Sequence, residues 1–247
     1  MSPITLRRFL TTTGDPGAAE AMRTSLVIPA HNAEAYLDEA IRSALDQTRT
    51  PAEVVVVDDG STDATAAVAS GFGSPVQCIR IPRSGIGAAL NTGVEHTSHT
   101  LLSFLDADDL WLPDKLALQT EAIRSDPMLD YVLGHAVQFR SPELTAEEAA
   151  GIAASSDVMP GISRGTLLIR RESFLRVGAF ATEWKVGEFI DWYARATDAG
   201  LKGAMLPDVV MRRRLHLSNS GIRESGARPD YAHVLKAVLD RRRATRS

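Results

Sequence analysis

Residues 53–65 read EVVVVDDGSTDAT. Four successive valines, Val54 to Val57, are too uniformly apolar for a strand with one wet face, and β-branched side chains suit extended backbone. The run is bounded by Pro51 and Gly60, so it reads as a strand buried on both faces. It ends in a polar turn in which Ser61 or Asp63 can cap the Ala-rich helix through Ala69. A buried strand running through a short turn into a helix is half of a βαβ unit, the building block of a parallel sheet with helices on both sides.

The same grammar repeats on either side. Leu26-Val27-Ile28 is strand-like, and after a break at 29–32 the residues Tyr36, Leu37, Ala40, Ile41, Ala44 and Leu45 recur at the spacing of one helix face. Residues 79–81 suggest a third strand, 85–94 a helix, and 101–105 a fourth strand that stops at Asp106-Ala107-Asp108-Asp109. A helix through Ile123 follows Pro113, then a strand over 131–139, a looser stretch at 141–161, a strand at 165–169, a helix at 188–199 and a strand at 209–215 that ends in a basic run. Tyr231, Val234, Leu235, Val238 and Leu239 suggest a closing amphipathic helix. The expected organisation is a flexible tail at 1–22, a ligand-binding half at 23–125, a second half at 126–226 with a mobile loop at 141–161, and a terminal helix at 227–247.

With 247 residues, 44% hydrophobic and 23% charged, the chain can bury a large single core. A formal charge of −4 gives no basic surface for nucleic acid or an anionic membrane. No apolar run reaches the roughly 18 residues of a membrane span. The single cysteine, Cys78, excludes an internal disulfide and reads as a small core thiol, which together with the missing span predicts a cytoplasmic protein.

Ligands of open parallel sheets bind at the carboxyl ends of the strands. Three polar turns fall there: PAHN (29–32), DDGSTD (58–63) and LDADD (105–109). Three carboxylates within four residues repel one another unless water is plentiful or a cation compensates. A hard divalent ion takes oxygen ligands from one or two carboxylates plus substrate phosphates. Asp106 and Asp108, two apart on extended chain, can face the same way.

The segments SLVIPAHNAEAYLDEAIRSALDQT (25–48), EVVVVDDGSTDAT, GIGAALNTGV (85–94) and LLSFLDADDLWLPDKL (101–116) together resemble the family 2 glycosyltransferases, nucleotide-sugar enzymes of the GT-A fold. The resemblance is dense over about 24–120 and thinner to about 220. It implies an α/β, GT-A type protein: a mainly parallel, Rossmann-like sheet flanked by helices, with a smaller acceptor-side region. It further implies that Pro29, Ala30 and Glu34 border the pocket for the nucleobase and that Asp59 contacts the base. Asp106 and Asp108 correspond to the family's Asp-x-Asp, with Asp108 a metal ligand, Asp106 a ribose or metal contact, and Asp109 a support behind them. The cofactor implied is Mn²⁺ or Mg²⁺. The family's usual Arg before the Asn of the third segment is Leu90 here.

Transfer also needs a base for the acceptor hydroxyl. The family places Glu-Asp at the start of a late helix, whereas this chain has GEFIDWYAR (187–195), with Phe189 where an acid is usual. Glu188 and Asp191, three apart near a helix N-terminus, are the remaining candidates. Asp191 is slightly favoured because Trp192 beside it could wall a sugar ring, although Arg195 four residues on could simply pair with it. His216, in RRRLHLSNSG (212–221), resembles a family element near the donor diphosphate and is a candidate third ligand.

The expected activity is inverting transfer of a sugar from a nucleotide-diphosphate donor, a UDP-sugar first among them, to a hydroxyl of a natural product, peptide, lipid or saccharide; inversion is implied by the resemblance alone. A homodimer is compatible with the sequence. Two other classes remain open at this stage: a haloacid-dehalogenase-like phosphohydrolase with Asp106 as nucleophile, and a non-catalytic nucleotide-sugar binder, suggested by Phe189.

Overall fold

The computed structural model describes residues 22–155, 157–184, 186–219, 234, 236–241 and 243. The expected tail at 1–22 lies outside them except for Met22. Of the expected closing helix, Val234, residues 236–241 and Arg243 are described, and all are helical.

The first half follows the alternation read from the chain. Strands β1 (Thr24–Ala30), β2 (Glu53–Asp59) and β3 (Val76–Ile81) are separated by α1 (Leu37–Leu45) and α2 (Thr65–Ser70); α3 (Ile86–Glu95) then leads to β4 (Leu101–Phe104). β1 pairs in parallel with β2 and with β4, and β2 with β3. The second half holds β5 (Leu110–Trp111), α4 (Lys115–Ser125), β6 (Tyr131–Arg140), α5 (Ala146–Gly151), β7 (Met159–Pro160), a 3₁₀ turn (Arg164–Thr166), β8 (Leu168–Arg170), α6 (Arg171–Val177), α7 (Glu188–Asp198) and β9 (Gly203–Leu215). The sheet runs β3-β2-β1-β4-β8-β6-β9-β5, with β7 beside β6. β8 is antiparallel to β4 and to β6, while the long β9 is parallel to β6. The architecture is α/β with a curled, mostly parallel sheet and flanking helices.

Strand alternation explains how both faces are covered. Leu26, Ile28, Val54 and Val56 belong to one core with Leu37, Ile41 and Ala44 of α1. The intervening Val55 and Val57 pack with Ala89 of α3. Val27 packs with Leu90 and Val94 of that helix in a third cluster, which also takes in Phe104, Phe174, Phe180 and Trp192. Every valine of residues 54–57 is fully buried, each contributing about 1.5–3 kcal/mol. A Cβ on Gly93 would stand 2.2 Å from Val27 Cγ1, so α3 approaches β1 more closely than any side chain permits.

The differences from expectation are local. Residues 165–169 divide between the 3₁₀ turn and β8, because Thr166 turns back to donate to the Ser163 carbonyl at 3.0 Å. α6 and the two-residue β5 are short elements that no periodicity marks. Cys78 is half-buried against the main core, and burial raises its thiol. Within 141–161, α5 carries a full capping box between Thr145 and Glu148. Among the described residues no helix is long and apolar enough to cross a membrane.

Candidate active site

The turns after β1 and β2 are stitched to each other. Asn32, held at φ 48°, donates its N–H to Ser61 Oγ at 2.9 Å and accepts from the Thr62 N–H at 2.9 Å through Oδ1. Ala33 N–H donates to Thr65 Oγ1 at 2.8 Å, and Ala64 N–H to Glu34 Oε2 at 2.8 Å. Glu34, expected at the base pocket, therefore also anchors the start of α2. Pro29 and Ala30 are buried at the end of β1, and His31 Nδ1 lies 2.8 Å from the Asp59 carbonyl oxygen.

Asp59 is 2% exposed and its carboxylate is occupied from within the protein. Oδ1 accepts from the Ser84 N–H at 2.6 Å, Oδ2 from the Gly85 N–H at 2.9 Å, and the Arg83 guanidinium pairs with it as well. The residue thus fastens the turn between β3 and α3 over the end of β2. Gly60, at φ +66°, is required here: a Cβ would lie 2.7 Å from the Arg83 nitrogen. Leu90 is fully buried, and its neighbour Asn91 clamps Phe180 through both backbone polar groups at 2.9 Å. A hydrophobic contact has replaced the arginine of the family pattern.

Beyond β4 the chain presents Asp106, Asp108 and Asp109 in three different directions. Asp109 is 4% exposed and accepts from the Arg214 N–H at 2.8 Å. Burial, reinforced by the charges of Asp108 and Asp106, pushes its carboxyl well above the ordinary range. Asp108 Oδ2 meets His216 Nε2 at 2.9 Å and Asn219 Nδ2 at 3.0 Å. Ser218 Oγ lies 2.9 Å from Nδ1; with Nε2 protonated it donates to Asp108 and the serine hydroxyl donates to Nδ1, and with the proton on Nδ1 the Nε2 lone pair faces the carboxylate oxygen, where a cation can lie between them. Adjacent ligands of an octahedral ion with bonds near 2.1 Å are themselves about 3 Å apart, so Asp108 and His216 fit as two ligands of one divalent ion. Among the described residues no three acidic, His or Cys side chains gather into a metal cage.

An aromatic and cationic column supports that pair. Tyr36 packs on His216 with ring centroids 4.4 Å apart, and Arg214 lies between the Tyr36 and Phe139 rings, at 5.1 and 4.8 Å. Arg214 also donates Nε to the Asp108 carbonyl at 2.9 Å and pairs with Glu39. It is 3% exposed, so of the three arginines at 212–214 this one braces the aspartate turn. Burial, together with the Glu143 carboxylate that accepts from it, pushes the Tyr36 hydroxyl up to about 12.

Asp106 Oδ1 takes both Nε and Nη2 of Arg164 at 2.6 Å. The same guanidinium pairs through Nη1 with Glu188 Oε1. Burial raises the Asp106 carboxyl, Arg164 opposing and Asp108 adding to the effect. For Arg164, burial lowers the guanidinium, yet Asp106 and Glu188 outweigh it and hold it above its ordinary value. One cation therefore ties the end of β4 to the start of α7.

Glu188 and Asp191 separate in the fold. Glu188 is 3% exposed and faces Arg164, and no described residue is hydrogen-bonded to its Oε2. Asp191 does not reach that cluster: Oδ2 accepts from Arg195 Nε at 2.9 Å and Oδ1 lies 2.7 Å from Arg241 Nη2. Trp192 is fully buried, stacked on Phe174 at 5.2 Å, with Nε1 donating to the Gly178 carbonyl at 2.9 Å. It is core, and the expectation that it walls a sugar site is corrected accordingly. The sequence marks no site role for Arg164, Tyr36 or Asn219, and marks Arg214 only as one of three arginines at 212–214 of which not all can face the same way. Only Asn219, three residues after His216, carried a local signal.

Residues 25–178 match the family model described as Glycosyl transferase family 2. An uncharacterised glycosyltransferase of Rickettsia typhi is 30% identical over 181 residues, covering 68% of this chain and 57% of that protein. Glycosyltransferase AglE of Haloferax volcanii is 30% identical over 199 residues, covering 75% and 65%. This chain thus spans less than two thirds of these relatives. The crystal structure of S. aureus TarS 1–349 in complex with UDP-GlcNAc superposes with a TM-score of 0.68 at 20% identity, over 88% of this chain and 65% of that one, a likeness of fold. With more than half of its length matched by the family model, the chain belongs to glycosyl transferase family 2.

Proposed function

We propose that the protein transfers a sugar, with inversion, from a UDP-type nucleotide-diphosphate sugar to an acceptor hydroxyl, and does so in the cytoplasm. The observation that carries the reading is the meeting of Asp108 with His216 at 2.9 Å, beside Asp106 and Glu188, at the carboxyl edge of the parallel strands. The likeness of fold to TarS, whose structure was solved in complex with UDP-GlcNAc, supports a nucleotide-sugar donor. The turns at 29–34 and 58–63, held rigid by their mutual hydrogen bonds, form the wall for the nucleotide.

Asp108 and His216, with Asp106 beside them, would hold Mn²⁺ or Mg²⁺, which supplies charge stabilisation for the departing diphosphate. Glu188 is the base. Its Oε1 is held by Arg164, and Oε2 is left to take the proton of the acceptor hydroxyl as that oxygen attacks the anomeric carbon. Asp109 and Arg214 keep the aspartate turn in place. The acceptor, whether natural product, peptide, lipid or saccharide, enters from the side of 141–161.

The test is turnover of a panel of UDP-, GDP- and dTDP-sugars, by transfer or hydrolysis, with and without Mn²⁺. Activity that EDTA leaves unchanged would remove the cation from this account.

A further inference from the structure

Arg164 joins Asp106 to Glu188, and the reaction scheme uses it only to hold the base. Its backbone is fixed from below. Trp111 Nε1 donates to the Gly165 carbonyl at 2.8 Å, Gln119 Nε2 to the Thr166 carbonyl at 2.7 Å, and Ser103 Oγ to the Leu167 carbonyl. A Cβ on Gly165 would stand 2.4 Å from Met211 Sδ, so this turn has no room to slide. The part free to move is the guanidinium, 20% exposed and shared between two carboxylates on different elements.

We propose that Arg164 is a positioning residue that couples donor occupancy to the base. Its fork spans Asp106 and Glu188. A dication held at Asp106 and Asp108 would compete with the single positive charge of Arg164 for the Asp106 carboxylate, by simple electrostatics. Arg164 then gives up that side of the fork and stays on Glu188 alone, orienting Oε1 and leaving Oε2 toward the acceptor. A charged fork reaching two carboxylates at once is a geometry that arginine supplies and lysine only partly reproduces. The inference rests on Glu188 being the base.

The experiment is a kinetic cycle with R164M, R164K, E188Q and the double variant R164M/E188Q. It is read as kcat and donor KM for Mn²⁺-dependent hydrolysis of the best sugar nucleotide in the panel, alongside UDP binding in the presence of Mn²⁺. R164M is expected to lower kcat by about 100-fold while UDP affinity stays within about 3-fold, and R164K to recover at least about tenfold. In the E188Q background R164M should cost less than about 3-fold more, since a residue acting through another is silent once that other is gone. UDP binding by each variant shows that the site is folded. Loss of UDP affinity that accounts for the whole fall in kcat/KM would make Arg164 a phosphate contact and overturn the proposal; an undiminished effect in the E188Q background would overturn it too. E188Q with wild-type kcat is a separate result that removes the base assignment itself.

Discussion

Lys115 lies under the aspartate turn and is 1% exposed. Nζ donates to Gln119 Oε1 at 2.8 Å and to Ser103 Oγ at 2.9 Å, lies 3.4 Å from the Leu167 carbonyl oxygen, and sits 4.1 Å from the Trp111 ring centroid. No carboxylate pairs with it among the described residues. Burial alone therefore pushes the amine well below the ordinary lysine range. The folded chain then binds fewer protons than the unfolded one, so stability rises with pH until the unfolded lysine titrates near 10.4. Each pH unit over which the amine is neutral when folded and charged when unfolded adds about 1.4 kcal/mol, at most about 2.7 kcal/mol between pH 7 and pH 9. K115M fills similar space without a titrating group. Cys78, whose raised thiol opposes the slope, acts equally in both proteins and cancels in their difference. From pH 7 to pH 9 the wild type should gain on K115M by up to about 2.7 kcal/mol, or about 5–11 °C in Tm for a chain of this size. Thermal or urea unfolding of the two proteins at pH 7, 8 and 9 measures it. A difference that does not change with pH would refute the reasoning and show that the amine keeps its proton against the Trp111 ring.

D108N should abolish Mn²⁺-dependent binding of UDP in calorimetry and lower turnover at least about 100-fold, because it removes the carboxylate proposed to hold the ion together with His216. E188Q should lower kcat by about 10²–10⁴-fold with little change in donor KM. D191N should instead lower stability, by about 1–3 kcal/mol in urea titration, with kcat within a few fold of wild type; the figure is discounted from a fully buried pair because Arg241 is 40% exposed. G60A should raise donor KM and lower Tm together, since its Cβ drives Arg83 off the Asp59 turn.

The first half, residues 23–125, was legible because its determinants are neighbours in sequence. Val54 to Val57 announce a strand covered on both sides, the next six residues announce a turn, and the partner β1 repeats the pattern; parallel pairing of β1, β2 and β4 follows with little choice left. The second half depends on contacts between distant residues. His216 reaches Asp108 across 108 positions, and Arg164 reaches Asp106 across 58 and Glu188 across 24. An arginine in sequence reads equally as a solvated side chain or as the centre of a buried ion pair, and only the fold decides between them.

The same limit explains the choice between Glu188 and Asp191. Three residues along a helix advance about 4.5 Å and leave side chains about 60° apart, which is near enough to count as one face and far enough to meet different partners. Glu188 is the first residue of the helix and faces Arg164, while Asp191, three residues on in the same first turn, faces Arg195 and Arg241. The aromatic residues set the rotation of this helix. Phe189, Trp192 and Tyr193 form its inward stripe, Phe189 stacking on the other two at 6.3 and 5.9 Å with 5% exposure. A carboxylate at position 189 would be desolvated among rings, at a cost of several kcal/mol unless a cation came with it. The apolar residue at that position therefore belongs to the packing that turns Glu188 toward Arg164, and the departure from the usual acidic pair is compatible with a working base one residue earlier.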